Sequence, residues 1–471
     1  MKNIKSPQTG WVGVQPTSLK VHAWLLATAL LFGGYLAVAH ATPNIPPPPQ
    51  KQAIMITGAT LHTVSGETIV NGRMLIDNGR IVAIGAAGAV PDQAGALTIN
   101  FAGKHVYPGL IAANTSLGLV EVQAVRATVD TAEVGAINPN ARALVAINAD
   151  SELFPVARAN GVLAALSVPK PGAAGLITGT SALVQLDGWT WEDMGVVPEV
   201  GLHINLPTMR LSAALFPNLA ANRLEDMQRL TAQRLKSLED AFESAAAYAK
   251  AKAAEPNLAK DGRWEAMLPV LAGANHASPR QVFVQADELP QIRYAVNFAE
   301  RFNLKLVIVG GADAWRIAPL LKERNVPVII GGMHRLPIRR GEDTDTPFRL
   351  AAQLHAAGVR FVIARSGSNF DAAMERSLPY EAATAVAHGL PAVEALKAIT
   401  IYPAQILGAA DKLGSLERGK LANFFVTDGD PLDIRTKVER IYILGRDIPL
   451  EDKQTKLNQK YEQKYQQLKA K

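Results

Sequence analysis

The residues of this sequence that could do chemistry follow or end its buried apolar runs. Five of them carry an amide or a hydroxyl group: Asn114, Ser116, Gln285, Ser366 and Ser368. Gly310 ends another such run and has no side chain. Amides and hydroxyls donate and accept hydrogen bonds, but their oxygens are poor zinc ligands compared with imidazole and carboxylate. Together these residues predict a pocket for a neutral polar small molecule and no metal site.

The histidines and the missing cysteines point the same way. The chain has nine histidines and no cysteine, so disulfides and thiolate metal sites are excluded. No two histidines have the i,i+2 or i,i+4 spacing of a ligand pair, and no G-x-S-x-G nucleophile motif occurs. His203, His276 and His334 fall nearest the ends of predicted strands, and a cluster of them with Asp287 or Glu288 remains an alternative metal site. We take His203 and His334 as further candidates for the pocket.

The middle of the chain, residues 105–412, alternates apolar runs of strand length with helical stretches. This alternation predicts βα units around a parallel sheet, and about eight runs match the number in a (β/α)8 barrel. The predicted strands are Val106–Ile111, Gly161–Val168, Ala182–Leu186, Leu202–Leu206, Gln281–Ala286, Lys305–Val309, Val326–Ile330 and Val359–Ala364. A helix-rich insertion, residues 208–273, interrupts the alternation and is either an outer helical hairpin or a cap over the barrel mouth.

Both flanks of this region contain short strands and tight turns. Asn71-Gly72 and Asn78-Gly79 are hairpin signals within residues 53–104, and short apolar runs recur in residues 413–450. Short strands alone need a partner sheet to bury one face. We therefore predict a composite β-sandwich made from the two segments.

The phrase at the first barrel strand, VYPGLIAANTSLG, resembles the PGLID-x-H-x-H motif of the metal-dependent amidohydrolase superfamily. Gly414–Lys420 (GSLERGK) and the DGDPL sequence that follows match that superfamily's C-terminal pattern. The segments INADSELFPVAR and GTSALVQLDGWTWEDM are similar to the imidazolonepropionase-like branch. The resemblance implies a barrel with a small β-sandwich, one or two divalent metals such as zinc, and hydrolysis of C–N bonds in cyclic amides.

The metal-ligand positions implied by this resemblance are all substituted. Asn114 and Ser116 stand for the two histidines of strand one, and Gln285 and Gly310 for those of strands five and six. Strand eight leads into Ser366–Ser368 where an aspartate is expected. We therefore expect no metal cofactor, and two functions stay open. One is a catalytically altered or inactive hydrolase, and the other is a non-catalytic small-molecule-binding or scaffold protein.

The N-terminus reads as a targeting segment. A basic region ends near Lys20, an apolar run covers Ala23–Val38, and Ala39-His40-Ala41 has the form of a cleavage site. Residues 1–41 therefore predict a signal peptide and an exported, periplasmic protein without a stable membrane span; an uncleaved anchor is the alternative. Residues 42–52, with four consecutive prolines, predict a linker.

Charge is concentrated at the two ends of the chain. The formal net charge is +6, with three lysines and no acid in residues 1–41 and six lysines against three acids in residues 451–471. The body between is neutral, so the basic balance does not indicate nucleic-acid binding. Leu457, Tyr461, Tyr465 and Leu468 have helical spacing, which predicts an amphipathic C-terminal helix. The sequence leaves the oligomeric state open.

Overall fold

The computed structural model describes residues 45–211, 220–271 and 280–469. The predicted signal peptide lies outside these residues, as does His276. The strands in chain order are β1 (Ile54–His62), β2 (Thr68–Asp77), β3 (Arg80–Ala86), β4 (Leu97–Asn100), β5 (His105–Pro108), β6 (Leu110–Thr115), β7 (Val162–Ser167), β8 (Ile177–Gln185), β9 (Gly195–Asn205), β10 (Gln281–Ala286), β11 (Lys305–Gly310), β12 (Val328–Gly331), β13 (Phe361–Ala364), β14 (Phe424–Thr427), β15 (Val438–Ile443) and β16 (Arg446–Ile448).

The helices lie mainly between the strands of the barrel. In chain order they are α1 (Leu153–Arg158), α2 (Trp191–Met194), α3 (Ala221–Ala254), α4 (Gly262–Met267), α5 (Leu289–Phe302), α6 (Ala318–Glu323), α7 (Thr346–Ala356), α8 (Leu378–Ala387), α9 (Ala392–Ala398), α10 (Ile401–Ile406) and α11 (Lys453–Lys469). The sequence around α5 shows why it forms: Glu288 and Gln291 make a reciprocal capping box, and Asn303 ends the helix in the left-handed region.

Strands β6 to β13 form one curved sheet in sequence order, eight strands within the described chain. The side chain of Asn114 on β6 donates to the carbonyl oxygen of Ser366, just beyond β13, so a side-chain bond links the two edge strands. The inward-facing residues form their own apolar cluster, which includes Ile111, Phe283 and Val362. This is the predicted barrel with its core, and the fold class is confirmed.

The two chain ends share a second sheet, in the order β16-β15-β14-β5-β1-β2-β3 with β4 paired to β1. β14 pairs antiparallel with β5, and β1 pairs parallel with β5, so β5 lies between the two ends of the chain. The two β-rich ends thus form one structure, as predicted, and their described strands lie in a single sheet where a β-sandwich was expected.

The predicted first strand, Val106–Ile111, divides between the two sheets. His105–Pro108 belongs to the sheet that the two chain ends share, called the terminal sheet below. Leu110–Thr115 is the first strand of the barrel. Pro108-Gly109 separates them, and a Cβ at Gly109 would lie 2.8 Å from the Cβ of Leu163. A glycine therefore lets the chain pass close to β7 as it crosses from one sheet to the other.

The third barrel strand differs from the predicted parallel arrangement. β8 runs antiparallel to both β7 and β9, whereas the other pairs between neighbouring strands of the barrel are parallel. The segments before and after β8, residues 168–176 and 186–194, contain at most the single turn of α2. A parallel connection needs a crossover of about a dozen residues or more, so these short connections return the chain as hairpins.

The described part of the insertion packs on the outside of the barrel. Phe242 of α3 lies against Phe298 of α5, with ring centroids 4.9 Å apart, and Glu239 accepts a hydrogen bond from Tyr294. This packing favours an outer helix over a cap for α3. In the residues that the structure covers, no helix is long and apolar enough to cross a membrane.

Candidate functional site

A small pocket of about 200 Å3 opens at the carboxyl ends of the barrel strands. It is lined by Asn114, Lys170, His203, Asn205, Gln285, Ser366, Gly367 and Ser368, together with the apolar residues Val168, Pro169, Pro171, Ile204 and Val309. The structure thus brings together five of the eight candidates, on segments that end β6, β9 and β10 or follow β13. Ser116, Gly310 and His334 are not part of the lining.

Both polar atoms of the Asn114 side chain have hydrogen-bond partners. Its amide nitrogen lies 3.5 Å from the carbonyl oxygen of Arg365 and 3.2 Å from that of Ser366, and its amide oxygen accepts a hydrogen bond from Lys170 Nζ at 3.3 Å. Gly367 has a φ of +73°, and a Cβ there would lie 2.4 Å from the amide nitrogen of Asn114. Asn114 therefore links the loop after β13 to Lys170.

Lys170 is a charged pocket residue that the sequence analysis missed. It follows β7 in the sequence Val168-Pro169-Lys170-Pro171, at the carboxyl end of a predicted strand. Burial lowers the pKa of its amine to about 8, against the opposing effect of Glu375 and Asp371. Its position at the end of a predicted strand could have indicated a site residue, but a single lysine between two prolines matches no functional motif.

His203 is buried and neutral. It stacks on Phe283 with a centroid separation of 4.7 Å and an interplanar angle of 4°. Burial, and secondarily the charge of Lys170, hold the pKa of His203 well below its ordinary value. Its Nε2 has no hydrogen-bond partner among the described residues, which leaves a buried polar atom beside the pocket.

Gln285 and Gly310 share one small space. Gln285 donates to a carboxylate oxygen of Asp287 at 3.0 Å. A Cβ at Gly310, where φ is +94°, would lie 2.5 Å from Asp287 Oδ1 and 2.7 Å from Gln285 Nε2. A side chain at position 310 would require Asp287 and Gln285 to move and would strain the backbone, and Gly310 itself supplies no ligand atom from its side.

The serine candidates organise the loop after β13. Ser116 is buried and donates to Asn369 Oδ1 at 3.2 Å, behind the pocket. The hydroxyl of Ser366 donates to Asp371, and Ser368 accepts from the backbone N–H of Asp371 at 3.2 Å. Only Ser366 and Ser368 reach the lining, and both belong to a loop held by Asp371.

His334 lies outside the pocket, at the end of the barrel next to α8. Its side chain is 48% exposed, with Nδ1 3.3 Å from Glu381 Oε1 and Nε2 2.7 Å from Thr384 Oγ1. Glu288, from the alternative metal cluster, instead accepts hydrogen bonds from Met209 and Arg210. The described histidines and acids of that alternative are thus placed in separate contacts.

A buried ionic cluster lies at the carboxyl end of β13. Arg365 donates to Glu381 at 2.7 Å and to Asp371 at 2.9 Å. Burial alone would raise the pKa of Asp371, but bonds from Ser366 and Arg365 lower it below its ordinary value. Burial raises the pKa of Glu375 to about 8, although Thr115 and Arg365 oppose this shift. One carboxylate is therefore held charged and its neighbour is held close to neutral.

The donor set does not fit the divalent metal that the resemblance implies. Within the described chain, no group of three or more His, Cys, Asp or Glu side chains could hold a metal ion. At the ligand positions that the resemblance implies, Asn114 and Gln285 are hydrogen-bonded amides, the Ser116 hydroxyl is bonded to Asn369, and Gly310 has no side chain. The ammonium of Lys170 would also repel a cation.

The barrel and the sheet from both chain ends have the fold of a solved amidohydrolase structure. Residues 324–459 match the family model described as "Amidohydrolase family". A crystal structure of an amidohydrolase from Thermotoga maritima MSB8 matches with a TM-score of 0.71 and 24% identity, over 84% of this chain and 99% of that chain. A second amidohydrolase structure matches with a TM-score of 0.50 and 16% identity, over 84% of this chain and 98% of that one. No curated protein matches the chain.

The resemblance to the amidohydrolase superfamily is confirmed by the family match together with the fold. Asn114, Ser116, Gln285 and Gly310, which stand at the metal-ligand positions that the resemblance implies, all lie outside the matched residues 324–459. Fold does not fix activity, so function has to be argued from the pocket.

Proposed function

We propose that this protein is an exported amidohydrolase-fold protein that binds a small polar molecule at the barrel mouth without a metal, and that metal-dependent C–N hydrolysis has been lost. The observation that carries the proposal is the bonding of Asn114. Its amide nitrogen faces backbone carbonyl oxygens and its amide oxygen accepts from Lys170, where the family has a metal-binding histidine. An amide nitrogen is not a metal ligand, and the ammonium held at the amide oxygen would repel a cation.

The pocket still suits a ligand. It combines amide and hydroxyl groups with an apolar wall, which is the usual composition of a small-molecule site. Its volume of about 200 Å3 is comparable with cavities that hold a molecule of benzene size.

Metal content tests the proposal. Protein purified after incubation with zinc and manganese is expected to hold far less than one equivalent of either metal, and chelation should leave its melting temperature unchanged. The double variant Asn114→His, Ser116→His serves as a matched control and should also fail to bind zinc, because Gln285, Gly310 and Ser366–Ser368 would still supply no imidazole or carboxylate ligand. About one equivalent of tightly bound metal in the wild type, with a C–N hydrolase activity that chelation abolishes, would refute the proposal.

Export is tested separately. The basic and apolar segments of residues 1–41 support a cleaved signal peptide. Fractionation of expressing Gram-negative cells should place the protein in the periplasm, with a mature N-terminus near Thr42. A full-length chain in the membrane fraction would favour the uncleaved anchor.

A second candidate function, metal-independent hydrolysis, is favoured by the position of Lys170 in the pocket lining, with Nζ 3.3 Å from Asn114 Oδ1. Because the pKa of Lys170 is lowered to about 8, roughly a tenth of the amine is unprotonated at pH 7 and could act as a general base. Activity on a cyclic amide such as hydantoin should then rise as the pH passes about 8, resist chelation and disappear in Lys170→Met.

A further inference from the structure

We propose that the barrel-mouth pocket is a carboxylate-binding site in which Lys170 and His203 recognise a small organic anion. This inference deepens the proposed function, on which it rests, by naming the chemical class of the ligand. It depends on three features of the pocket: its charge, its unpaired polar atom and its size.

Lys170 is the one residue with a formal charge in the lining that the structure describes. Its ammonium donates to Asn114 Oδ1 at 3.3 Å, a neutral acceptor, and a lysine ammonium has three N–H donors. The neighbouring acids do not neutralise it by contact. Burial keeps Glu375 mostly protonated at neutral pH, because its pKa is about 8, and Asp371 is bonded to Arg365 and Ser366.

A cation that is partly removed from water and lacks an ionic partner is unfavourable, and an anion entering the pocket would supply the partner. A carboxylate is more suitable than a neutral amide, because hydrogen bonds between two charged groups are roughly twice as strong as neutral ones.

His203 provides a second, independent reason. It is 6% exposed, lines the pocket, and its Nε2 lacks a hydrogen-bond partner in the described structure. Since its imidazole is neutral, the tautomer with a proton on Nε2 donates one hydrogen bond. A carboxylate has two oxygens, so one can accept from Lys170 and the other from His203.

The apolar wall limits what the anion carries. Val168, Ile204 and Val309 line the pocket together with two prolines. A flat or compact apolar group bearing one carboxylate fits this surface, whereas a long or highly charged ligand does not fit a volume of about 200 Å3.

Calorimetric titration with two matched probe pairs tests the inference. The first pair is benzoate and benzamide, and the second is pyroglutamate and 2-pyrrolidone; within each pair the second probe lacks the carboxylate. At pH 6.5 both anions should bind the wild type at least about tenfold more tightly than their neutral partners, a difference that corresponds to one charged contact. Lys170→Met should bring this ratio close to one.

Lys305→Met is the control variant. It removes the same charge from an exposed residue at the start of β11, the opposite end of that strand from the pocket, and should keep the wild-type ratio. A pH series on the wild type provides a measurement that needs no variant. The ratio should fall as the pH rises through about 8, where Lys170 loses its proton and Glu375 gains a charge.

Three results would overturn the inference: equal affinity for the two members of each pair, a preference that survives in Lys170→Met, or no binding of either anion at millimolar concentration. Binding of the neutral probes alone would leave the proposed function in place while rejecting the carboxylate. A metal requirement for binding would instead reject the proposed function.

Discussion

Lys170 and Glu375 lie near each other at the barrel mouth, and burial shifts both toward their uncharged forms. The pKa of each is about 8, reached from opposite directions: the amine is lowered and the carboxyl is raised. Desolvation penalises the charged form of any group, which explains both directions. The local charge of the site is therefore sensitive to pH in a range where ordinary lysine and glutamate do not titrate.

Glu375 should make the folded protein less stable as the pH rises. Its carboxyl has a pKa near 4.5 when unfolded and about 8 when folded, so the folded state binds more protons between these values. The free energy of unfolding therefore falls across this window, at a slope of at most about 1.4 kcal/mol per pH unit. Melting temperatures of wild type and Glu375→Gln, measured from pH 5 to pH 9, should diverge in favour of the variant as the pH rises.

Glu462→Gln is the control for this series, since it removes a carboxylate from an exposed position of α11. Its melting curve should follow that of the wild type at every pH. A constant difference between wild type and Glu375→Gln would mean that Glu375 stays charged in the folded protein.

At the scale of elements, β8 depends on a glycine. Gly179 has a φ of +121°, and a Cβ there would lie 2.4 Å from the carbonyl oxygen of Ala141, which accepts a hydrogen bond from Thr180. Gly179→Ala should lower the free energy of unfolding by roughly 1–3 kcal/mol, through backbone strain. Gly88→Ala, where nothing lies within 4 Å, is the matched control and should leave stability unchanged. Equal denaturation midpoints for the two variants would contradict this account of β8.

The C-terminal helix α11 is present as predicted, but it buries none of its residues in the described structure. Leu457, Tyr461, Tyr465 and Leu468 are 44% to 59% exposed. Deleting residues 453–471 should therefore leave the melting temperature of the isolated protein unchanged. A lower melting temperature or a smaller oligomer on size-exclusion chromatography would show that the stripe packs against protein.

The sequence predicted elements well where one pattern decides them. The strand predicted at Gln281–Ala286 is present with the same bounds as β10. The direction of β8 was not predictable from the same patterns, because a buried strand has the same residue pattern in either direction. Only the short connections before and after β8 contain that information.

At the scale of the whole molecule, the barrel brings together residues that the sequence predicted only at the ends of separate strands. Asn114, Gln285 and Ser366 converge because the strands that carry them end at one mouth. Lys170, Arg365 and Glu375 escaped prediction for a physical reason: their roles arise from burial beside other segments, which no local motif encodes. His334 was predicted in the pocket from its position after β12, but its side chain lies beside α8.

The two sheets are also joined by a buried ionic contact. Asp187, just after β8, lies 2.7 Å from Arg446 of β16 and 3.5 Å from Arg158 of α1. Burial raises the pKa of Asp187, while the two arginines oppose that shift. The carboxylate therefore lies between two guanidinium groups that are themselves almost removed from solvent.

Asp187→Asn should weaken the contact between the two sheets more than the strand pairing within either sheet. It leaves Arg158 and Arg446 without a carboxylate, and breaking a buried ion pair typically costs roughly 3–5 kcal/mol. Hydrogen exchange should increase at β15 and β16 more than in β10 and β11, because the contact holds β16 to the barrel. Asp433→Asn, which removes an exposed carboxylate paired with Arg435, should leave exchange and melting temperature as in the wild type. If Asp187→Asn instead melts at or above the wild-type temperature, the cost of burying three charges exceeds their attraction, and the terminal sheet is held to the barrel by apolar packing alone.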